Sequence, residues 1–162
     1  MKISKYYFIV NICFLFLMVS CKEEGNKKIE TATITFQKEG TLSIRNVKTD
    51  SASIKIDIEI AESPYEIQTG LMYRDTMEEK EGMLFIFQEM SMHSFYMKNT
   101  KIALDLIFID DQLKIASIHK NAKPMDESPL PSKVPVQYVL EINAGLADKW
   151  SLEIGDSITY AK

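Results

Sequence analysis

Hydrophobic and polar residues alternate along much of this chain, which indicates a fold built mainly of strands. In residues 53–60 an isoleucine occupies every second position, and Lys55, Asp57 and Glu59 lie between the isoleucines. A period of two residues is typical of a strand with one buried and one solvated face. We therefore predict a strand here, with its isoleucines inside and its charged side chains in solvent.

Further strands and two short helices follow from the same pattern. Leu104–Ile109 is apolar on both faces except at Asp105, so we expect it at the centre of a sheet. Ser63-Pro64-Tyr65-Glu66 combines an N-cap, a first-turn proline and a capping-box glutamate, and predicts a short helix to about Tyr73. The other predicted strands are 41–47, 83–87, 94–98, 113–118, 137–143 and 157–160, and a second short helix is predicted within 144–151.

This element order predicts a mainly β fold, a compact antiparallel β-sandwich or small barrel with one or two short helices. Residues 121–135 contain four of the five prolines and have no periodicity. Loops of this length are often lids or binding loops. We therefore expect a ligand pocket under this proline-rich loop.

The first 21 residues predict an export signal. Two lysines precede an apolar run over 6–19, which is too short for a hydrocarbon core of roughly 30 Å and ends at Ser20-Cys21. The ending resembles the lipobox of bacterial lipoproteins, in which the cysteine is acylated; an uncleaved anchor and ordinary secretion are the alternatives. We expect a signal peptide over 1–20, lipidated Cys21 with a polar tether over 21–32, and one β domain over 33–162.

Lipidation of Cys21 would place the protein in the cell envelope, anchored to a membrane through its lipid, with the outer membrane as the expected site. Lys22-Glu23-Glu24 resembles the signal that exports lipoproteins of Bacteroidetes-type bacteria to the cell surface. A generic hydrophilic linker has the same composition.

Composition excludes several functional classes. The chain has 46% hydrophobic and 26% charged residues, as in an ordinary globular domain, and its net charge of −4 argues against a nucleic-acid partner. Its two cysteines, Cys13 and Cys21, both precede the predicted domain, which excludes disulfides, cysteine-based zinc sites and a cysteine nucleophile there. His93 and His119 have no spaced ligand partners, so neither a metal nor another cofactor is predicted. Common enzyme signatures are absent, and the sequence does not decide whether the protein is an enzyme.

The segment Ser94-Phe95-Tyr96-Met97-Lys98-Asn99-Thr100 is the strongest candidate for a binding site. In a strand, Tyr96 and Lys98 share one face, and Asn99 and Thr100 follow at its exit. A ring, a cation and an amide together could hold a small molecule, a glycan or a peptide. In the alternative, Tyr96 packs across strands and Lys98 pairs with Asp105 or Glu141.

Glu141 lies inside the apolar run 139–142, where a carboxylate must be paired or have a raised pKa. Paired with Lys98 or Arg74 it would be structural, whereas unpaired in a cleft it would be a candidate acid or base. The candidate ligand-binding residues are Arg74, Tyr96, Lys98, Asn99, Thr100, Asp105 and Glu141.

Several of these segments resemble successive motifs of the DUF192 family, also called UPF0127, over roughly residues 54 to 160. Tyr96 stands where the family usually has Trp. The resemblance implies a compact, mainly β domain that is often exported, and it implies no reaction. The motifs that carry it are 70–74 (GLMYR), 82–87 (GMLFIF), 95–100 (FYMKNT), 104–110 (LDLIFID), 131–132 (PS) and 138–145 (YVLEINAG).

Three hypotheses follow. The first is an exported, lipid-anchored binding module whose pocket contains Arg74, Tyr96, Lys98 and Asn99. The second is an enzyme acting on a cell-envelope or extracellular substrate through Glu141, Asp105 or His93. The third is a structural or interaction lipoprotein in which these residues only stabilise the fold.

Overall fold

The computed structural model describes residues 34–48 and 53–162, all within a compact unit that spans Thr33–Lys162. The predicted signal peptide, Cys21 and the tether lie outside the described residues. In the described part of the chain, no helix is long and apolar enough to cross a membrane.

The fold is mainly β, as the sequence predicts, and consists of a curled seven-stranded sheet that forms a half-barrel, a two-stranded ribbon and two short helices. The sheet order is β6-β5-β8-β3-β2-β1-β9, and β4 and β7 form the ribbon. The helices are α1 (Pro64–Thr69) and α2 (Leu146–Lys149). The strands are β1 (Gly40–Arg45), β2 (Ile54–Ala61), β3 (Glu81–Ser91), β4 (Ser94–Phe95), β5 (Leu104–Ile109), β6 (Ile115–Ala122), β7 (Leu130–Pro131), β8 (Val136–Asn143) and β9 (Ser157–Ala161).

Neighbouring strands are antiparallel except for β2 and β3, which are parallel. A parallel pair needs a crossover connection, and here residues 62–80 supply it with α1. At the other end of the sheet, the approach to β6 meets β9 through a bridge between Lys114 and Ser157. This bridge brings the two edges of the curled sheet into contact.

Two hydrophobic clusters occupy the two faces of the sheet, because alternate residues of each strand point to opposite sides. The first cluster contains Ile56, Ile58 and Ile60, as the pattern of β2 predicts. The second contains Met83 and Phe85. Strand β5 is buried along its whole length and contributes to both clusters, as expected for a central strand.

Glu59 departs from the prediction for β2. Its alternation predicts a solvated face for Lys55, Asp57 and Glu59, yet Glu59 is only 5% exposed. The second cluster covers this end of β2, so the strand is buried on both faces there. The pattern of one strand reveals its own period but not the elements that cover it.

Helix α1 and strand β4 are shorter than predicted. Helix α1 has the expected capping box, in which Ser63 and Glu66 bond reciprocally, but it ends at Thr69 because Gly70 leaves the helix with a φ of +46°. The predicted strand over 94–98 stops at Phe95, and the backbone of Met97 instead bonds to Asp126 and Thr100. The face shared by Tyr96 and Lys98 is therefore not that of a strand.

Candidate functional site

A cavity of about 240 Å³ opens between the end of α1 and the start of β4. It lies over the second hydrophobic cluster, on the face of the sheet to which Phe85 and Glu141 point. The lining residues come from three places: the stretch 67–72, the stretch 93–96 with Thr100, and the sheet residues Phe85, Phe87 and Glu141. The proline-rich loop over 121–135 supplies none of these lining residues, although its residues Leu130 and Pro131 pair with Phe95 and Ser94 of the wall.

Aromatic rings form much of the wall. Phe85 meets Phe95 edge to face with ring centroids 5.1 Å apart, and Phe87 stacks on the imidazole of His93 at 3.6 Å. Phe87 and Phe95 are also edge to face, at 6.4 Å. These ring contacts hold the side chains of the wall against one another.

Gly70 allows the chain after α1 to approach this wall. A Cβ atom at Gly70 would lie 2.9 Å from the ring of Phe85, and the positive φ also favours glycine. The close approach places Leu71 and Met72 among the residues that line the cavity.

Glu141 is the only charged or acidic residue among those described that line the cavity. It lies on β8, opposite Met83 on one neighbouring strand and Leu106 on the other, and it is 5% exposed. Within residues 34–48 and 53–162, no hydrogen bond or ion pair reaches its side chain. Burial alone raises the pKa of Glu141 to about 8. The carboxyl is therefore mostly protonated at neutral pH and can both donate and accept a hydrogen bond.

His93 is the second titratable group of the wall. Its Nε2 atom lies 3.1 Å from the hydroxyl of Ser91. Burial lowers the pKa of His93, and a hydrogen bond with the backbone of Val136 partly offsets that effect. The imidazole is therefore neutral at pH 7, and it adds a polar edge to the cavity without adding a charge.

Arg74 lies outside the cavity and is paired with Glu59. Its Nη2 atom donates to Oε2 of Glu59 at 2.5 Å, and both side chains are buried. The backbone N–H of Gln37 donates to the other oxygen of Glu59 at 2.8 Å. Both carboxylate oxygens are thus bonded, and this pair is part of the framework of the fold.

Asp105 is fully buried and also has a structural environment. Its two oxygens accept hydrogen bonds from the backbone N–H groups of Asn121, at 2.8 Å, and Ala147, at 2.9 Å. The side chain therefore ties β5 to β6 and to the start of α2. It does not pair with Lys98 and does not line the cavity.

The Tyr96–Thr100 motif is divided by the turn that follows β4. Tyr96, which is 42% exposed, and the buried Thr100 line the cavity. Lys98 is exposed, and among the residues described it has no ion-pair partner. Asn99 lies outside the cavity and donates from Nδ2 to the hydroxyl of Tyr73 at 2.9 Å.

Asn99 and Tyr73 fasten the two sides of the cavity to each other. Both adopt positive φ angles, and the backbone N–H of Tyr73 donates to the carbonyl of Asn99 at 2.8 Å. Their chain neighbours Met72 and Thr100 line the cavity. Backbone strain held by hydrogen bonds next to a cavity is a common feature of ligand sites.

The structure thus brings together Tyr96, Thr100 and Glu141 of the seven predicted ligand-binding residues, with His93 beside them. Arg74, Lys98, Asn99 and Asp105 lie elsewhere. Sequence reasoning missed the aromatic wall of Phe85, Phe87 and Phe95. Its signal is the every-second-residue spacing of Phe85 and Phe87, which places both rings on the same side of β3 as Met83.

No group of three or more His, Cys, Asp or Glu side chains suited to a metal ion occurs in the described ranges 34–48 and 53–162. The residues that line the cavity would also make a poor cation cage for a hard metal, since a single carboxyl faces phenyl rings.

Comparison with known proteins places these features in a family. The family model DUF192, described as "uncharacterized ACR", matches residues 45–160. A search of curated proteins gave no match. A crystal structure from Sinorhizobium meliloti 1021, described as a proposed transcription regulator, is 33% identical with a TM-score of 0.73; the alignment covers 78% of this chain and 98% of that one. A protein of unknown function from Novosphingobium aromaticivorans DSM 12444 is 34% identical with a TM-score of 0.69, over 74% of this chain and 83% of that one.

Proposed function

This chain belongs to the DUF192 family, and we propose that its β domain is a binding module for a small ligand, exported and lipid-anchored in the cell envelope. The observation that carries the binding function is Glu141. A buried carboxyl without a partner costs free energy, and folding alone gives no reason to keep one. A ligand that supplies the missing hydrogen-bond or ion-pair partner gives such a reason.

The composition of the cavity supports this proposal. Small-molecule sites are concave, largely apolar and contain a few polar groups that fix orientation. Here the rings of Phe85, Phe87 and Phe95 supply the apolar surface, and Glu141 and Thr100 supply polar atoms. The volume of about 240 Å³ is below the ~300–1,000 Å³ of pockets for drug-sized ligands. The ligand is therefore a small molecule, or one end group of a glycan or peptide.

A thermal-shift screen of the full-length protein in non-ionic detergent tests this proposal. We expect a compound from a panel of sugars, muropeptides, peptides and amines to stabilise the protein, by about 2.7 kcal/mol at 100 times its dissociation constant. Ser94 lines the cavity, so Ser94→Trp should fill its mouth and abolish the shift. Ser128→Trp, on the exposed loop, is the matched control and should keep it. If no compound acts, or if one stabilises Ser94→Trp equally, binding in this cavity is ruled out.

The anchor is proposed from residues 1–21, which lie outside the described part of the structure. A short apolar run that ends at Ser20-Cys21 is the observation that supports it. Changing Cys21 to Ser should release the protein from membranes or leave the precursor uncleaved, since stable anchoring needs more than one acyl chain. Mass spectrometry and membrane fractionation measure both outcomes. An unchanged mass and an unchanged membrane fraction would contradict lipidation.

An enzyme acting on a cell-envelope substrate is the second candidate, because one cavity contains a protonated carboxyl at Glu141 and a neutral imidazole at His93. Such a pair can act as general acid and general base. Asp105 is no longer a candidate, since both of its oxygens are engaged with the backbone. Turnover of a bound compound would establish catalysis if its rate has a bell-shaped dependence on pH and is lost in Glu141→Gln. Binding without turnover would exclude catalysis for that compound.

Nucleic acid is not a proposed partner. The net charge is −4, and the cavity has no lysine or arginine among its described lining residues. The regulator description of the Sinorhizobium protein applies to that protein. A DNA-binding role would need a concentrated basic surface to contact phosphates.

A further inference from the structure

Among its described lining residues the cavity contains one acidic group, Glu141, together with the imidazole of His93 and no lysine or arginine. Glu141 is 5% exposed, lines the cavity and receives no hydrogen bond from the described chain. When Glu141 ionises, its carboxylate has no counter-charge among the described residues that line the cavity. The ligand is therefore expected to balance the charge of this carboxylate.

Three kinds of ligand group can be compared at this position. An anion would meet a carboxyl and aromatic rings, and would have no lysine or arginine as a counter-charge among the described lining residues. A neutral polar group could bond to the protonated carboxyl but would gain little from the surrounding rings. A cation would pair with the ionised carboxylate and would also be attracted to the ring faces.

We propose that the cavity recognises an organic ammonium group, which pairs with the ionised carboxylate of Glu141 and packs against the rings of Phe87, Phe95 and Tyr96. This inference rests on the proposed binding function and names its ligand class. Aromatic rings around a carboxylate are well suited to alkylated ammonium ions, whose charge is spread over an apolar surface. A hard metal ion would need several more oxygen ligands.

The other titratable groups near Glu141 do not supply this charge. His93 and Tyr96 share the cavity, and burial keeps His93 neutral. Glu59, two strands from Glu141 on the same face, is already paired with Arg74. On the other side of Glu141, His119 lies two strands away on β6, opposite Leu106 of β5.

The state of the carboxyl makes this binding pH-dependent. Burial raises the pKa of Glu141 to about 8 in the empty cavity, and a bound ammonium would lower it again. Binding at pH 7 should then release about one proton per ligand. The affinity should rise by close to tenfold per pH unit between pH 6 and pH 7, and become constant above the pKa of the empty site. A neutral ligand would show the opposite trend or none.

Calorimetry on the full-length protein in non-ionic detergent tests the inference with matched probes. Choline and n-butylammonium are the cationic probes, and 3,3-dimethylbutan-1-ol and n-butanol are their neutral isosteres. We expect at least one cation to bind, at least roughly tenfold more tightly than its isostere. Titration in two buffers of different ionisation enthalpy measures the released proton, and titrations at several pH values measure the slope.

Variants locate the effect. Glu141→Gln keeps the size of the side chain and removes its charge, so cation affinity should fall by at least roughly tenfold and proton release should disappear. Phe87→Leu should weaken binding several-fold through loss of a ring. Glu127→Gln, on the exposed loop 123–129, is the matched control and should behave like the wild type. The wild-type pH slope tests the inference even if a variant folds poorly.

The outcomes separate the two proposals. If the neutral isosteres bind as well as the cations and Glu141→Gln changes nothing, the cavity is a binding site, but the ammonium inference is wrong. If no cation binds at millimolar concentration, the inference is also wrong, and the wider thermal-shift screen with Ser94→Trp decides the binding function separately. Binding that strengthens as the pH falls from 7 to 5 would likewise overturn it.

Discussion

Glu59 and Glu141 lie on the same face of the sheet, one strand to either side of Met83, and each is 5% exposed. Glu59 accepts hydrogen bonds from the guanidinium of Arg74 and the backbone of Gln37. Glu141 accepts none from the described chain and borders a cavity. The two carboxyls are therefore equally buried, and they differ in whether the described chain supplies a hydrogen-bond partner.

Asp105 adds a third case, a buried carboxylate satisfied by two backbone N–H groups. Asp105 and Glu59 each connect separate parts of the chain, so their role is structural. Glu141 connects nothing within the described residues. Asp156, which is also buried, accepts hydrogen bonds from the backbone N–H groups of Val47 and Glu153. Of these four buried acids, Glu141 is the one that has no hydrogen-bond partner among the described residues and that borders a cavity.

Removing Arg74, the ion-pair partner of Glu59, should have the largest effect on the free energy of unfolding. Glu59 would then resemble Glu141, a buried carboxyl without a counter-charge. Arg74→Met keeps the length of the side chain but leaves Glu59 buried without a counter-charge. We expect the free energy of unfolding at pH 7 to fall by about 3–5 kcal/mol, measured by urea denaturation. Lys101→Met is the control, because its pair with Asp75 is exposed and should be worth under about 1 kcal/mol. Equal losses in both variants would show that Glu59 does not depend on its partner.

Glu141→Gln tests the other carboxyl through pH. Unfolded, this group ionises near its ordinary pKa of 4.5, whereas in the folded protein its pKa is about 8. Between these values the folded state binds more protons, so the carboxyl lowers stability progressively as the pH rises from about 4.5 to about 8. The variant lacks this loss and should be more stable than the wild type by roughly 2–4 kcal/mol at pH 7, and equal to it at pH 4. If the free energies of unfolding of variant and wild type differ by the same amount at every pH in this range, Glu141 ionises with an ordinary pKa.

Asp105→Asn tests the buried carboxylate that is bonded to two backbone N–H groups. Asparagine keeps one acceptor oxygen and turns an N–H₂ group towards a backbone donor, so one buried N–H loses its partner. The expected loss in urea denaturation is about 1–3 kcal/mol. Asp110→Asn is the matched control, because one oxygen of Asp110 accepts both backbone bonds of its turn. A loss at Asp105 no larger than at Asp110 would argue against its structural role.

Local patterns predicted much of the fold. The alternation of β2, the doubly apolar run of β5 and the capping box of α1 each depend on residues close in sequence, and the structure contains all three. The parallel pairing of β2 with β3 was not predicted, because it depends on how the crossover packs. The early end of α1 follows from Gly70, whose φ the sequence does not reveal.

The candidate site was predicted less well, for a physical reason. The strand expected over 94–98 placed Tyr96 and Lys98 on one face, but the chain turns after Phe95 to meet Asp126 and Thr100. Arg74 was expected in the pocket, yet its partner Glu59 had been assigned to solvent. The pattern also singles out Glu141, because an acid within an apolar run is unusual wherever the strand lies, and the structure places this residue in the wall of the cavity.

Lys98→Ala should have the smallest effect and tests whether Glu141 is truly without a partner. Lys98 is exposed, and no ion pair to it occurs in the described residues, so the free energy of unfolding should change by less than about 0.5 kcal/mol. The affinity for choline should also be unchanged, because Lys98 does not line the cavity. Urea denaturation and calorimetry on this variant measure both quantities. A loss of about 3 kcal/mol or more would instead indicate that its ammonium pairs with a buried carboxyl. In that case Glu141 would resemble Glu59, and the contrast between the two acids would no longer identify a binding site.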